Sequence, residues 1–537
     1  MQSYVITITE TDDVELALEQ LETQLSEIEL LENTIGIVSV HPEFVESGIY
    51  NAVAKYAPFQ LAGITSFAQN ANGEIGLYLF SILVLTSDSC EFACESSDVI
   101  SEKASAKRLT QKCFSNARSK LNGKVKLALL YAPIMEFKCS NEYIRAITAI
   151  DESVPVFGSL ANADMPNLFA ERKVLYNENS FGNRLVLVLV SGDIQPEFYI
   201  GSITKDAVIM PDIGTVTEAK ENHVFKIDDM DADKFLDKIG FYVGKARNQG
   251  LLTSIFMVDK KDKDGNTVSS FSRGILQYNG KAIVFGGIVP KGSVLSIGTT
   301  TKKMVVNTAR NVIEQIKEKS DGGAVLMYSC IGRRFSLRDE PMLELEAFSE
   351  FMPSSDFNYI ASCSCGEICP TSVSKGKAFN IEHNQALIAC VLNEPGSKAN
   401  GKQYEVLLAE LKNERREKNR LLRELKECHS LIAAYKQHTI FHEKFYDMMM
   451  KSPLNSGNVN SGNGDKSRRN FMKRGLSSRQ AKAMLHAKGS GKISNREYCE
   501  INFVTRSTAM RDLAELVKKG LLKNAGKGAG CCYEYLG

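Results

Sequence analysis

Long apolar runs are missing. No stretch approaches the ~20 residues a helix needs to cross a bilayer, and the strongest, Val186 to Val190, is strand-sized. The opening Met1-Gln2-Ser3-Tyr4 has neither the basic start nor the apolar stretch of a secretory signal, so the expectation is a cytoplasmic protein without membrane partners. Histidine is scarce, 7 residues in 537, which argues against a His-based metal site. There is no G-x-x-x-x-G-K-[ST], no H-E-x-x-H and no G-x-S-x-G, and Gly286-Gly287 reads as a turn. Without a cofactor, metal or catalytic signature, the expectation is that the chain is not an enzyme. The 13 cysteines are odd in number and lack framework spacing, which predicts reduced thiols.

What is present is an ordinary globular composition, 43% hydrophobic and 24% charged, long enough for three or four domains. The net charge of +1 hides an asymmetry. Lys466 to Gly537 holds 16 Lys/Arg against 5 Asp/Glu, or +11, leaving 49 against 59 elsewhere. A basic tail on an acidic body makes nucleic acid a candidate partner, with a solvated basic surface as the alternative.

Up to about residue 395, short β-branched apolar runs alternate with helical patterns: Ile35–Val40, Leu79–Leu85, Val125–Tyr131, Val154–Phe157, Leu185–Val190, Ala282–Phe285 and Ala324–Tyr328 as strands, Val14–Leu31 and Met304–Ile316 as helices. Runs apolar on both faces suit covered strands, so the fold class is α/β or α+β, with a soft boundary between Asn179 and Gly214. Asp259 to Gly265 reads as an exposed hairpin tip.

From 404 to 450 Gly and Pro vanish, and Tyr404, Leu407, Leu411, Glu414, Lys418, Leu421, Leu425, Cys428, Ile432 and Tyr435 fall on alternating a and d positions. That 3.5-residue period predicts a coiled-coil homodimer, with a single helix on the body as the alternative. Residues 451–470, rich in Gly, Ser and Asn near their start, read as a flexible linker. In 471–537, Leu476–His486 is amphipathic behind Ser477-Ser478, Ser494 and Glu497 have capping-box spacing, Thr505 to Lys519 has one apolar face, and Gly520 ends it. Two strands around Gly526-Lys-Gly-Ala-Gly530 complete the module, and one of Cys531-Cys532 faces its core.

Leu476 to Tyr535 resembles a bacterial winged helix-turn-helix, carried by Ile493-Ser-Asn-Arg-Glu-Tyr498, Thr505-Arg-Ser-Thr-Ala-Met-Arg-Asp-Leu513 and Leu516-Val-Lys-Lys-Gly-Leu521. The resemblance implies a recognition helix whose Thr505, Arg506, Ser507, Thr508 and Arg511 face DNA, with Lys523 and Lys527 on the backbone. Winged helices also dock proteins, and that alternative stays open.

In the body, Leu61-Ala-Gly-Ile-Thr65, Gly73-Glu-Ile-Gly76, Phe80 to Ser87, Phe157-Gly-Ser159 and Val216 to Ile227 are similar to a FIST N domain. Tyr328-Ser-Cys-Ile-Gly-Arg333, Gly366-Glu-Ile368 and Phe379-Asn-Ile-Glu-His-Asn384 are similar to a FIST C domain. The resemblance implies domains at about 25–228 and 229–395, an intracellular sensor of small ligands such as amino acids, and an output domain behind it. Two places depart from the family pattern: Phe157-Gly158-Ser159 stands where Gly-Gly is common, and Ser364-Cys365 where a bulky residue precedes the glycine.

Arg333 and Glu367 offer the cation and carboxylate that grip a zwitterion, or an internal salt bridge; Thr65, Cys330, His383 and Asn384 add polar reach. Cys363, Cys365 and Cys369 have C-x-C and C-x₃-C spacing without the second pair a zinc site uses, and packing on one strand face accounts for the alternate residues. The expectation is a one-component transcriptional regulator that senses a small ligand and binds DNA as a dimer. The alternative is a signalling adaptor docking a protein through the same module.

Overall fold

The computed structural model describes residues 1–135, 138–162, 172–202, 207–240, 254–261, 267–278, 280–351, 357–374, 376–394, 476–502, 506–525 and 532–536. The coiled-coil seam at 404–450, the linker at 451–470 and most of the tip after Asp259 lie outside them. The chain forms two units, Met1–Leu454 and Asn455–Gly537.

The first unit repeats one motif three times. The first copy runs β1 (Gln2–Ile8), α1 (Val14–Leu25), β2 (Asn33–Val40), α2 (Pro42–Glu46), α3 (Ile49–Tyr56), β3 (Gln60–Thr65), the hairpin β4 (Gln69–Ala71) and β5 (Glu74–Gly76), and β6 (Phe80–Ser87). The second runs β7 (Glu91–Ser96), α4 (Ala106–Arg118), β8 (Val125–Ala132), α5 (Ser140–Thr148), β9 (Val156–Leu160), the hairpin β10 (Val174–Tyr176) and β11 (Asn179–Phe181), and β12 (Val186–Ser191).

The third copy opens with β13 (Gln195–Gly201) and then carries an insertion: β14 (Val208–Lys220), β15 (His223–Ile227), β16 (Met230–Asp231), α6 (Ala232–Lys238), β17 (Ser254–Lys261), β18 (Thr267–Arg273), β19 (Ile275–Tyr278), β20 (Ile283–Phe285) and β21 (Val294–Thr299). It resumes with α7 (Lys302–Lys319), β22 (Gly323–Cys330), α8 (Ile331–Ser336), α9 (Leu343–Phe351), β23 (Phe357–Ser364), the hairpin β24 (Glu367–Ser374) and β25 (Lys377–His383), and β26 (Leu387–Asn393).

Three six-stranded sheets have the orders β1-β6-β2-β3-β10-β11, β7-β12-β8-β9-β24-β25 and β13-β26-β22-β23-β4-β5. In each, one central pair is parallel (β2 with β3, β8 with β9, β22 with β23) and its neighbours are antiparallel. The hairpins are exchanged in a ring. The first copy's hairpin extends the third sheet, the second's the first, and the third's the second. Each copy therefore leans on the next through backbone hydrogen bonds.

The inner faces meet in one core built from Ile35, Ile37, Leu127, Leu129, Leu326 and Ile388 among others. Each outer face is covered by its own helices: α1 and α3 over Val38 and Ile82, α4 and α5 over Ala128 and Leu187, α7 and α9 over Val325 and Ala389. Both faces being apolar explains why these strands read as continuous apolar runs. The insertion adds an eight-stranded sheet around Val216, Phe256, Phe285 and Leu295.

Two expectations change. α1 stops at Leu25 rather than Leu31, because Ser26 caps it and the Leu31 amide bonds Thr86 Oγ1 at 2.7 Å, steering the chain into β2. The boundary sought between 179 and 214 is no division in space, since β12 and β13 both belong to the three-sheet body and the separate sheet starts at Val208. The cut at 228/229 lies between β15 and β16, which pair with one another.

The second unit contains α10 (Ser478–Ser490), β27 (Lys492–Ser494), α11 (Asn495–Asn502), α12 (Arg506–Lys518), β28 (Leu522–Ala525) and β29 (Cys532–Tyr535), with sheet order β27-β29-β28. Both capping boxes form: Ser477 with Gln480, and Ser494 with Glu497 at 2.7 and 3.1 Å. Gly520 adopts φ +70° just past α12. Ala481, Met484, Tyr498, Leu513 and Leu516 fill a core of their own.

Candidate ligand site

The parallel pairs converge at their C-terminal ends, where open α/β sheets usually place ligands. The chain leaving β3, β9 and β23 is stitched together there. The Asn162 amide donates to Thr65 O at 2.9 Å and the Thr65 hydroxyl to Asn162 O at 2.7 Å. Ser66 Oγ donates to Cys363 O at 2.9 Å, Ser159 Oγ and Ser364 Oγ are 2.8 Å apart, and Tyr328 OH donates to Tyr131 OH at 3.0 Å.

The strand register makes three positions equivalent. Opposite Ile64, Ser159 and Ser362 stand Val174, Glu367 and Gln69. Val174 is apolar. Gln69 is satisfied, donating to Leu79 O at 2.7 Å and accepting from Ser81 at 2.8 Å. Glu367 is fully buried, and neither carboxylate oxygen has a hydrogen-bond partner of ordinary geometry.

Burial pushes the Glu367 carboxyl well above its usual range, and nearby Glu382 pushes it further; the Ser364 hydroxyl, Ala386 amide and Cys330 thiol pull the other way without prevailing. Cys330 is itself raised, first by burial and then by Glu367. Glu382 faces the other side of β25. Burial lifts it to about 7, although Ser140 and Asn141 donate to its Oε2 and Arg273 favours its charge.

Arg273, from the insertion, is fully buried and lowered to about 10 by desolvation. Its Nε and Nη1 donate to Ile288 O and Ser272 O at 3.0 and 2.9 Å, while Nη2 has no partner. A narrow cleft of ≈ 30 Å³ reaches this region, lined by Cys139, Ser140, Asn222, Gly286, Cys365 and Glu382. A wider, open groove of ≈ 300 Å³ between β13 and β24 is lined by Pro196, Glu197, Lys319 and Val373. It contains none of the buried unpartnered polar atoms, so the convergence point is the better candidate.

Residues 34–230 match the family model described as the FIST N domain, and residues 216–370 the FIST C domain. Residues 34–370 of this chain are a FIST N and FIST C pair. FIST domains are sensor domains of signal transduction. No curated protein matches the chain. Among solved structures, a cyanuric acid hydrolase from A. caulinodans is similar at 8% identity and a TM-score of 0.26, over 72% of this chain and 98% of that one. A likeness that slight carries no argument.

Within the FIST pair, Thr65, Cys330 and Glu367 sit at the convergence point, and His383 lies opposite Glu367 across the hairpin. His383 Nε2 is 3.1 Å from Cys369 O, and burial lowers the ring to about 4. Asn384 Nδ2 donates to His383 O and Gly286 O at 2.8 and 3.3 Å, tying the hairpin to the insertion. Arg333 does not pair with Glu367. It lies on α8 and pairs with Glu344 at 2.6 Å, because its side chain runs under α7 to the carbonyls of Gly201 and Val305.

The cysteine cluster also separates. Cys363 packs under α7, Cys365 beside the α4–α5 core and Cys369 in the central core, since the chain leaves β23 at Ser364 and the shared strand face ends there. Asn162, Ser159, Ser364, Glu382 and Arg273 were not singled out by the sequence. Ser159, Ser364 and Glu382 sat inside or beside family motifs read as turns; Arg273 carried no signal.

In the second unit, Thr505 and Lys527 lie outside the described residues, and Arg506 and Ser507 open α12. Arg511 and Lys523 are exposed. Thr508 is 4% exposed, which removes it from any base-reading face: it precedes Ala509 and lies one turn before Asp512 on the inward side of α12.

Proposed function

We propose that this chain is a cytoplasmic one-component regulator. Its FIST pair binds a small metabolite without turning it over, and its second unit is a winged helix-turn-helix that binds DNA. The observation that carries the reading is the coupling of a sensor pair to a separately cored, strongly basic unit whose order is helix, strand, two helices and two strands. Arg506 and Arg511 would reach bases or phosphates from α12, and Lys523 the backbone.

The cleft at Cys365 is far smaller than ordinary ligand pockets of several hundred Å³ (about 300 or more). Binding would therefore favour a second, more open arrangement. The ligand shifts DNA affinity only by its differential affinity for the two. A homodimer through the 404–450 seam would place two such units on one operator.

The test is anisotropy of labelled duplex DNA with the full chain between about 50 and about 300 mM salt, where phosphate contacts weaken steeply. Arg511→Ala should lower affinity, and Leu421→Glu with Leu425→Glu should lower it again if dimerisation matters. Salt-insensitive or absent binding would sink the DNA role. Half-exposed Met510 beside Arg511 favours the second reading, protein docking. A docking module would keep its partner after Arg511→Ala.

A further inference from the structure

We propose that the FIST sensor's ligand presents a cationic N–H donor group — an ammonium, amidinium or guanidinium — to Glu367, and that of the three equivalent junctions only this one binds. The inference rests on the ligand-sensor reading above and deepens it.

The three junctions act as internal controls for one another. The same backbone register brings Val174, Gln69 and Glu367 to the ends of the three parallel pairs. Two of these are chemically complete: one is apolar, and the other has both amide atoms engaged. Of the three, only Glu367 is a fully buried carboxyl with no hydrogen bond of ordinary geometry at either oxygen. A buried acceptor is costly unless a donor reaches it, so an orphan confined to one of three like sites points to a missing partner.

That partner is a cation on grounds of charge. Glu382 on β25 stands near, Cys330 closes β22, Cys363 ends the β23 side and Cys365 follows it, and neutral His383 faces Glu367 across the hairpin. None of these supplies positive charge. Of the nearby guanidinium groups, Arg333 pairs with Glu344, Arg273 bonds carbonyls on the Glu382 side through Nε and Nη1, and Arg172 stands against the Cys365 thiol. Among the described residues no Lys or Arg forms an ion pair with Glu367. A bidentate N–H donor would fill both oxygens with charge-assisted bonds.

Cys365, half-buried on the cleft wall, donates to Asn162 Oδ1 at 3.0 Å. It is the side chain that joins the cleft to the ring of strand ends, two residues from Glu367. Burial favours the protonated form of Glu367 and a ligand cation would favour its carboxylate, so binding should release a proton.

The experiment is a thermal-shift screen of the full chain and of Glu367→Gln, against a broad library of small metabolites sorted by charge. Hits are then titrated calorimetrically in buffers of different ionisation enthalpy. Stabilisation by cationic or zwitterionic members, at least ~10-fold weaker binding by Glu367→Gln and release of about one proton by the wild type are expected. Anionic or neutral hits alone, unchanged affinity in Glu367→Gln or no proton release would overturn the charge assignment and leave the sensor reading standing. Stabilisation by no class would overturn both. The proton count uses only wild-type protein, so it decides the matter even if the variant fails to fold.

Discussion

Arg333 donates to one oxygen of Glu344 twice, from Nη2 at 2.6 Å and Nε at 3.0 Å, while Ser329 donates to the other at 2.7 Å. Both charged side chains are buried, and the guanidinium also reaches Val305 O and Thr308 Oγ1. A buried pair contributes little against an apolar substitute, but halving it strands a charge. Glu344→Ala should therefore cost about 3–5 kcal/mol in denaturant unfolding of the FIST unit. Arg333→Met with Glu344→Leu should recover most of that. A single-variant loss below about 1 kcal/mol would show that water reaches the guanidinium.

Gly63 and Gly158 occupy matching positions in the first two copies, opposite Val38 and Leu130. An added Cβ would lie 1.8 Å from Val38 O and 1.9 Å from Leu130 O. Alanine at either should destabilise by about 3 kcal/mol or more, because backbone has to move. Gly48 has φ +84° and nothing within 4 Å of its Cβ. Gly48→Ala should cost only about 1 kcal/mol from backbone strain. Equal urea midpoints for all three variants would contradict the close approach.

His383 is held neutral, its folded pKa of about 4 lying below the unfolded value of 6.5. Between those values the unfolded chain binds a proton that the folded chain refuses. Stability from this group is therefore present above pH 6.5 and lost as pH falls towards about 4. Glu367 works in the opposite sense. Its raised folded pKa means stability is lost as pH rises above the ordinary glutamate range. Melting curves across pH should show His383→Gln flattening the acid limb and Glu367→Gln flattening the neutral limb. Unchanged limbs would remove these groups from the linkage.

Asp512 accepts from Tyr498 OH at 2.7 Å and Arg479 Nε at 3.1 Å, linking α10, α11 and α12. Asp512→Ala should destabilise the second unit by about 1.5–3 kcal/mol. Because that unit has its own core, calorimetry should show its transition move while the FIST transition stays. A shift of both would mean the units unfold together.

The strands were legible because each is apolar on both faces, and the helix starts because a cap is a contact between residues three apart, as in Ser477 with Gln480 and Ser494 with Glu497. The family motifs already marked Thr65, Cys330 and Glu367. Local signals of this kind depend on neighbours along the chain, and the amino-acid sequence determines them by itself. So too does the division of charge between an acidic body and a basic tail.

Only the tertiary structure decided which strands pair. The hairpin of one copy joins the sheet of another, as when Gln69 meets Ser362, and no local periodicity encodes a partner nearly three hundred residues away. Long-range packing likewise sent Arg333 to Glu344, turned Thr508 inward and buried Glu367 without a hydrogen bond of ordinary geometry. Whether a polar side chain is satisfied depends on what the fold brings within 3 Å of it. For Glu367 the fold brings the Ser364 hydroxyl, the Ala386 amide, the Cys330 thiol and a second carboxylate, Glu382.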